Sequence, residues 1–263
     1  MAAGGRLVSA DACASIARGR WLLVGLASRG RVMLMRARPA AGLLIAAALC
    51  WAVPAAAACR DAARPGVDWS GCERSHLSLA GATLDRANLA RANLTSTDLR
   101  GASLKGADLS KARLTYTGLA GANLTGARLT GAYGTRTRLS SAVLKEADLS
   151  KAELSRADLA KADLAGADLS SAQLTRATLR GASLKAAKLT FANLARASVV
   201  GADLADADLS GAFLHLTRIE GTDLSAAKGL TSEQVKAACG DAKTRLPPGV
   251  AAPGAWPCPP VEP

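Results

Sequence analysis

The sequence predicts an all-β solenoid, a chain wound into stacked coils around a leucine-filled axis. Three observations carry this. Leucine recurs every five residues from Leu79 to Leu224, at 27 of 30 positions, without a slip in phase. Two residues before those positions, alanine stands at 24 of 30. Hydrophobic residues make up 49% of the chain but aromatics only 3%, so the core must be built from Leu and Ala. A spacing of five drifts around an α-helix, and on one straight strand it sends successive leucines to opposite faces. It suits a chain that turns at every repeat, and so long an unbroken register is the mark of stacked repeats.

The first element is a leader over residues 1–58. Its signal core spans 35–58: the basic stretch Met35-Arg36-Ala37-Arg38, the short apolar run "GLLIAAALCWAV" from Gly42 to Val53, and the small residues of Pro54–Ala58. The apolar run is too short for a good membrane span, so cleavage near Ala56–Ala58 and a periplasmic or secreted protein without a transmembrane span are expected. Lipid attachment at Cys59 is the lesser alternative, because "AAAC" at 56–59 lacks the usual leucine of a lipoprotein box. The signal sits far from Met1, which leaves Met33 and Met35 as alternative starts. The leader holds seven Arg and one Asp, half of the net charge of +12. The remainder is only mildly basic, and that alone does not imply nucleic acid as a partner.

Residues 59–74 are expected to form an N-terminal cap and first coil, 75–226 the solenoid, and 227–263 a C-terminal cap. Thr231-Ser-Glu-Gln234 reads as a capping box that opens a short helix reaching about Cys239, with Gly240, Pro247 and Pro248 ending it. The tail through Trp256 should fold back with its indole over the last coil. Outside the leader stand Cys59, Cys72, Cys239 and Cys258, which allow three pairings. The two local ones, 59–72 and 239–258, would each staple a terminal segment in an oxidising compartment.

Within the repeat, the leucine positions are broken by Gly134, Val199 and Ile219. Gly134 is expected to leave a thin spot unless Tyr133 or a neighbour fills it. Thr97, Thr117 and Thr137 replace inward alanines, and their hydroxyls are expected to hydrogen-bond in series.

The motif A-(D/N/S)-L-x-x, sustained over residues 67–226, resembles the pentapeptide-repeat family. The entry "VDWSGC" at 67–72 is similar to the first coil of exported members, and "LTSEQVKAACGDAKTRLPPG" at 230–249 to their usual ending. The resemblance implies a right-handed quadrilateral parallel β-helix in which four pentapeptides make one square coil. About eight coils then run from Trp69 to Leu224, a rod of roughly 35–40 Å at the usual interstrand spacing.

With 20 residues to a coil, positions 20 apart stack in columns, and the second residue after each leucine falls near a corner. One corner column is mostly glycine (Gly81, Gly101, Gly121, Gly181, Gly201 and Gly221) and reads either as strain relief at a tight turn or as a bare edge open to close approach. Another is Arg136, Arg156, Arg176 and Arg196. It reads as a solvated edge or as an anion-binding stripe suited to phosphate, with Asp158 expected to offset part of the repulsion. A third contains Arg91, Lys111 and Lys151, and a fourth Arg86, Glu146 and Asp206. Thr95, Thr115, Thr135, Ser155 and Thr175 form an outward hydroxyl column. Asp148, Asp168 and Asp208 share a column with Arg128 and Lys188, where surface hydrogen bonding and charge balance are the expected roles.

His76 and His215 lie at opposite ends of the rod, and no zinc-finger cysteine spacing or nucleophile, P-loop or dinucleotide motif is present. Repeat geometry turns the carboxylates outward on a convex surface. The expectation is a non-catalytic protein without cofactor or metal: an exported scaffold or binding module that presents regular faces to a protein or an anionic envelope component. Oligomeric state, monomer or dimer, is left open. The resemblance supplies an alternative, a DNA mimic that modulates gyrase, as some cytoplasmic members do. Such mimicry needs an acidic surface in place of phosphates, whereas this chain is basic and carries an export signal.

Overall fold

The computed structural model describes residues 59–256 and 258. The expected leader, with its signal core over 35–58, lies outside the described residues.

From Asp68↔Asn88 onward the chain pairs with itself in parallel, residue against residue 20 further on. Each coil therefore has four sides of five residues. A single residue between the inward alanine and the inward leucine makes the bridge, and a turn follows. The Ala82 amide donates to the Leu79 carbonyl (3.0 Å), the Ala87 amide to Leu84 (3.0 Å), and this closure recurs side after side. Between coils, the Leu79 amide donates to the Asp98 carbonyl (2.7 Å), and the Asp98 amide returns to the Leu77 carbonyl (2.8 Å). Stacking thus satisfies the backbone polar groups that the turns leave unpaired. The pairing lapses where the register would set Asp203 beside Asp223, for which no bridge forms among the described residues.

The second residue after each leucine takes a left-handed conformation, with φ of 57° at Arg136, 58° at Lys161 and 67° at Gly201. A corner is thus a backbone requirement, and glycine meets it without strain. Nothing lies within 4 Å of a Cβ added at Gly81, Gly101, Gly121, Gly201 or Gly221, so glycine there relieves torsion rather than crowding.

The repeat leucines from Leu84 to Leu189 are wholly removed from solvent, and the inward alanines beside them nearly so. Val67, Trp69 and Cys72 already sit in this register, so the core begins before the first repeat leucine. Trp69 stands at a leucine position and its indole N–H donates to the Asp61 carbonyl (3.2 Å). The Arg74 guanidinium stacks over that ring at 3.9 Å and donates to the same carbonyl (2.6 Å). Cys59 is bonded to Cys72 (Cα–Cα 5.5 Å), which holds the entry segment against the first coil.

Of the two candidates for filling the gap at Gly134, Tyr133 does not, because its ring is exposed, and a neighbour does. A Cβ at Gly134 would collide with the Thr137 hydroxyl and crowd Leu114 and Leu154. The Thr137 hydroxyl donates to the carbonyls of Leu114 and Gly134, both at 2.8 Å. Contrary to expectation, the buried threonines do not bond in series. Each donates to a carbonyl of the preceding coil, Thr117 to Leu94 (2.7 Å) and Thr217 to Leu194 (2.7 Å).

Helix α1 spans Ser232–Lys236, shorter than expected. Thr231 is its N-cap, and the capping box with Gln234 is complete. The helix stops before Cys239 because the chain rejoins the coil there. Cys239 bridges Arg218, and Arg245 bridges Asp223. The Gln234 side chain donates to the carbonyls of Leu209 and Ala212 (both 2.9 Å), bonding the helix to the coil beneath. Trp256 is partly buried against the core and lies where a side chain on Gly240 would collide with its ring. Cys239 is bonded to Cys258 (Cα–Cα 5.3 Å) and ties down this tail.

Candidate functional site

Fourteen corners begin with the same local device. An Asp or Asn at the bridge position accepts the amide two residues on: Asp158 from Ala160 (3.0 Å), Asp163 from Ala165 (3.2 Å), Asp168 from Ser170 (2.9 Å) and Asn193 from Ala195 (3.1 Å). This self-bonding turn explains the D/N/S position of the motif. It also assigns most outward carboxylates to the scaffold. At Asp148, burial pushes the carboxyl up, but bonds from Ser150 and Thr130 outweigh it and the net shift is downward. Bonds from Ser210 hold the Asp208 carboxyl below its ordinary value. The hydrogen-bonding role expected for this column is thus seen at Asp148, Asp168 and Asp208.

Arg136, Arg156, Arg176 and Arg196 do form one column, each at a left-handed corner with φ between 57° and 59°. All four are exposed. At the usual spacing their Cα atoms span about 14 Å. Asp158 accepts the Ala160 amide, and no ion pair joins any of the four to a carboxylate among the described residues. Arg136 donates instead to the Tyr116 hydroxyl (3.2 Å), one coil earlier in the same column, and lies 5.9 Å from its ring centre.

The larger pattern emerges when columns are read as faces. One face runs between the corner column of Arg91, Lys111 and Lys151 and the arginine column. From residue 91 to residue 216 it carries eight Lys or Arg, the four corner arginines plus Arg91, Lys111, Arg113 and Lys151, and one carboxylate, Glu153. The opposite face, from Gly81 and its stacked equivalents to the corner of Arg86, Glu146 and Asp206, is close to balance: between residues 81 and 226 it carries Asp85, Glu146, Asp163, Asp203, Asp206 and Asp223 against Arg86, Lys105, Lys145, Lys161 and Lys185. Its charges are partly paired, with Lys145 to Asp163 at 3.1 Å and Lys228 to Asp206 at 3.4 Å. One side of the rod is therefore strongly basic and the opposite side nearly neutral.

The basic face also holds all four large exposed hydrophobic side chains of the described residues: Tyr116 (48% exposed), Tyr133 (45%), Phe191 (71%) and Phe213 (55%). Phe191 lies on a corner, and Phe213 stacks beside His215 with ring centres 5.9 Å apart. Column reading alone had isolated the arginines and missed these aromatics. The missing signal was the face as a unit: Tyr133 and Phe213 are 80 residues apart, four coils of 20, and so share one column.

On the neighbouring face, a shallow polar depression is lined by Asp98, Arg100, Gly118 and Arg138. Its charges are largely consumed, since Arg100 grips Asp98 with two bonds of 2.9 and 2.7 Å. Hydrogen bonds from the Arg100 side chain and amide pull the Asp98 carboxyl down to about 2. Among the described residues no group of His, Cys, Asp or Glu is arranged to hold a metal ion, and no helix is long and apolar enough to cross a membrane.

A regular rod with flat sides and a repeat-built core defines a β-solenoid. The chain belongs to the pentapeptide-repeat family: the model of pentapeptide repeats matches residues 78–116, 119–156, 152–190 and 187–225, more than half of its length. Proteins of this family fold as right-handed quadrilateral β-helices and are generally non-enzymatic structural or binding proteins. Among solved structures, it is 31% identical to HetL, a pentapeptide repeat protein involved in heterocyst differentiation regulation from the cyanobacterium Nostoc sp. strain PCC 7120, over 72% of this chain and 86% of that one (TM-score 0.31). It is 20% identical to QnrB1, a plasmid-mediated fluoroquinolone resistance protein, over 65% of this chain and 90% of that one (TM-score 0.42). It is 25% identical to a pentapeptide repeat protein of the Arabidopsis thaliana thylakoid lumen, over 56% of this chain and 70% of that one (TM-score 0.16). Among curated proteins the comparison finds no match.

Proposed function

We propose that this protein is an exported, non-catalytic binding module whose basic face receives an anionic partner. The observation that carries the reading is the alignment of Arg136, Arg156, Arg176 and Arg196, exposed and without a carboxylate partner, on a face with a single acidic residue between positions 91 and 216. Unpaired guanidinium groups at strand spacing repel one another, and a bound anion relieves that repulsion. Their planar forks suit phosphate or carboxylate better than point charges do. Export is supported by the signal-like segment over 35–58 and by two disulfides, which an oxidising compartment maintains. The DNA-mimic alternative calls for an acidic surface and finds a basic one.

The test is retention on an immobilised polyphosphate matrix over a salt gradient. Replacing the four arginines by Ser should move elution to markedly lower salt. Replacing Lys145 and Lys185 on the opposite face should change it little. Equal shifts for both variants would reduce the face to general basicity and end the proposal. N-terminal sequencing of the mature chain from fractionated cells tests export: a start near Cys59 is expected, and an intact leader in the cytosol contradicts it.

A further inference from the structure

The aromatic side chains on the basic face are not explained by anion binding alone. Water-facing Phe191 and Phe213 carry an apolar cost, yet every large exposed hydrophobic side chain of the described residues shares one side with the arginine column. That side is one flat sheet of a rod. From the coil of Arg91 to that of Gly211 it extends about 29 Å at strand spacing. Its two ends differ: the arginine column occupies the middle, and Phe191, Phe213 and Leu216 gather toward the C-terminal end.

A flat surface with cations and interfacial aromatics, backed by a face whose charges nearly cancel, fits a planar anionic partner. We infer that the protein lies on its side on an anionic lipid bilayer, with the arginine column on the lipid phosphates and Phe191 and Phe213 inserted among the upper acyl chains. The inference rests on the anion-binding reading and names the partner. Charge complementarity selects anionic over neutral lipid, each basic side chain near such a surface adding roughly 1 kcal/mol, about fivefold in affinity. The aromatics select a bilayer over a soluble polyanion. Phenyl rings are stabilised in the interface between headgroups and chains, whereas a hydrated acidic glycan offers them no apolar phase. The opposite face, where carboxylates and basic side chains nearly balance, then points away from the membrane.

The experiment uses the full protein in the form that cells accumulate. Vesicles of phosphatidylcholine with phosphatidylglycerol are compared with phosphatidylcholine alone, and heparin serves as a soluble polyanion. Co-sedimentation with the anionic vesicles only is expected. The four arginines changed to Ser should weaken it by about a hundredfold or more. Phe191→Ser with Phe213→Ser should weaken it by about tenfold or more while leaving heparin binding unchanged. A Phe213→Trp variant should show emission quenched by brominated acyl chains. Heparin binding without vesicle binding would overturn the membrane inference and leave the anion-binding reading standing. Vesicle binding without quenching would also overturn it, because the face would not be inserted. Unchanged vesicle and heparin binding by the four-arginine variant would overturn both.

Discussion

At the scale of single residues, two conflicts with local preference define this protein. The first is at the corners. A non-glycine residue in the left-handed region costs about 1–2 kcal/mol, and Arg136, Arg156, Arg176 and Arg196 all stand there. Glycine avoids that cost but gives up more chain entropy on folding, about 0.5–1 kcal/mol. Arg156→Gly should therefore raise stability slightly, by about 0.5–1 kcal/mol in chemical denaturation, while weakening anion binding. A variant more stable yet poorer at binding is what a functional residue set against its backbone produces. The second conflict concerns protons. The Asp98 carboxyl is held at about 2 from an ordinary 3.8 by its bonds from Arg100. A lowered folded-state value stabilises the fold fully above the ordinary value, and that contribution is lost as pH falls from near 3.8 through about 2. The denaturation midpoint should fall over this window, and less so in Asp98→Asn.

At the scale of elements, the unit is one five-residue side with a buried leucine, a buried alanine and a left-handed corner. Leu159→Ala should cost about 2–5 kcal/mol, because a coil closed on four sides has little room to collapse. Gly134→Ala should cost about 1–3 kcal/mol, since the Thr137 hydroxyl holds the space a Cβ needs. The core was legible in the sequence because Leu and Ala at fixed spacing have only one way to be buried together. That a neighbour could fill the space at Gly134 was legible, but period counting registers a lost side chain without saying which neighbour, Thr137, takes its place. The end of α1 was misjudged because Cys239 looks like a helix residue until its bridge to Arg218 is known. The motif's Asp and Asn were visible, but their bonds to the amide two residues on depend on the corner torsion, which spacing does not reveal. The aromatics of the basic face were unreadable as a group, because they are scattered over four coils and converge only when the turn is known.

At the scale of the whole molecule, the fold separates roles by direction: leucine inward, turn-forming carboxylates along the sides, the exposed aromatics and the least balanced cations on one face, near charge balance opposite. Binding should therefore depend on angular register more than on composition, and repeat architecture allows this to be tested. Every side is nearly equivalent, so deleting one whole pentapeptide keeps the coil closed and turns everything downstream by one face. Two pentapeptides turn it by two faces: deletion of Gly166–Thr175 removes one Asp and no basic residue, and it carries Arg176, Arg196, Phe191 and Phe213 from the basic face to the opposite side of the rod. The decisive measurement is the affinity of this deletion variant for anionic vesicles, made beside its circular dichroism and thermal unfolding. A chain that stays folded but binds about tenfold or more weakly than the intact protein is the expected result. A folded deletion variant that binds as tightly as the intact chain would contradict the claim that one aligned face does the binding.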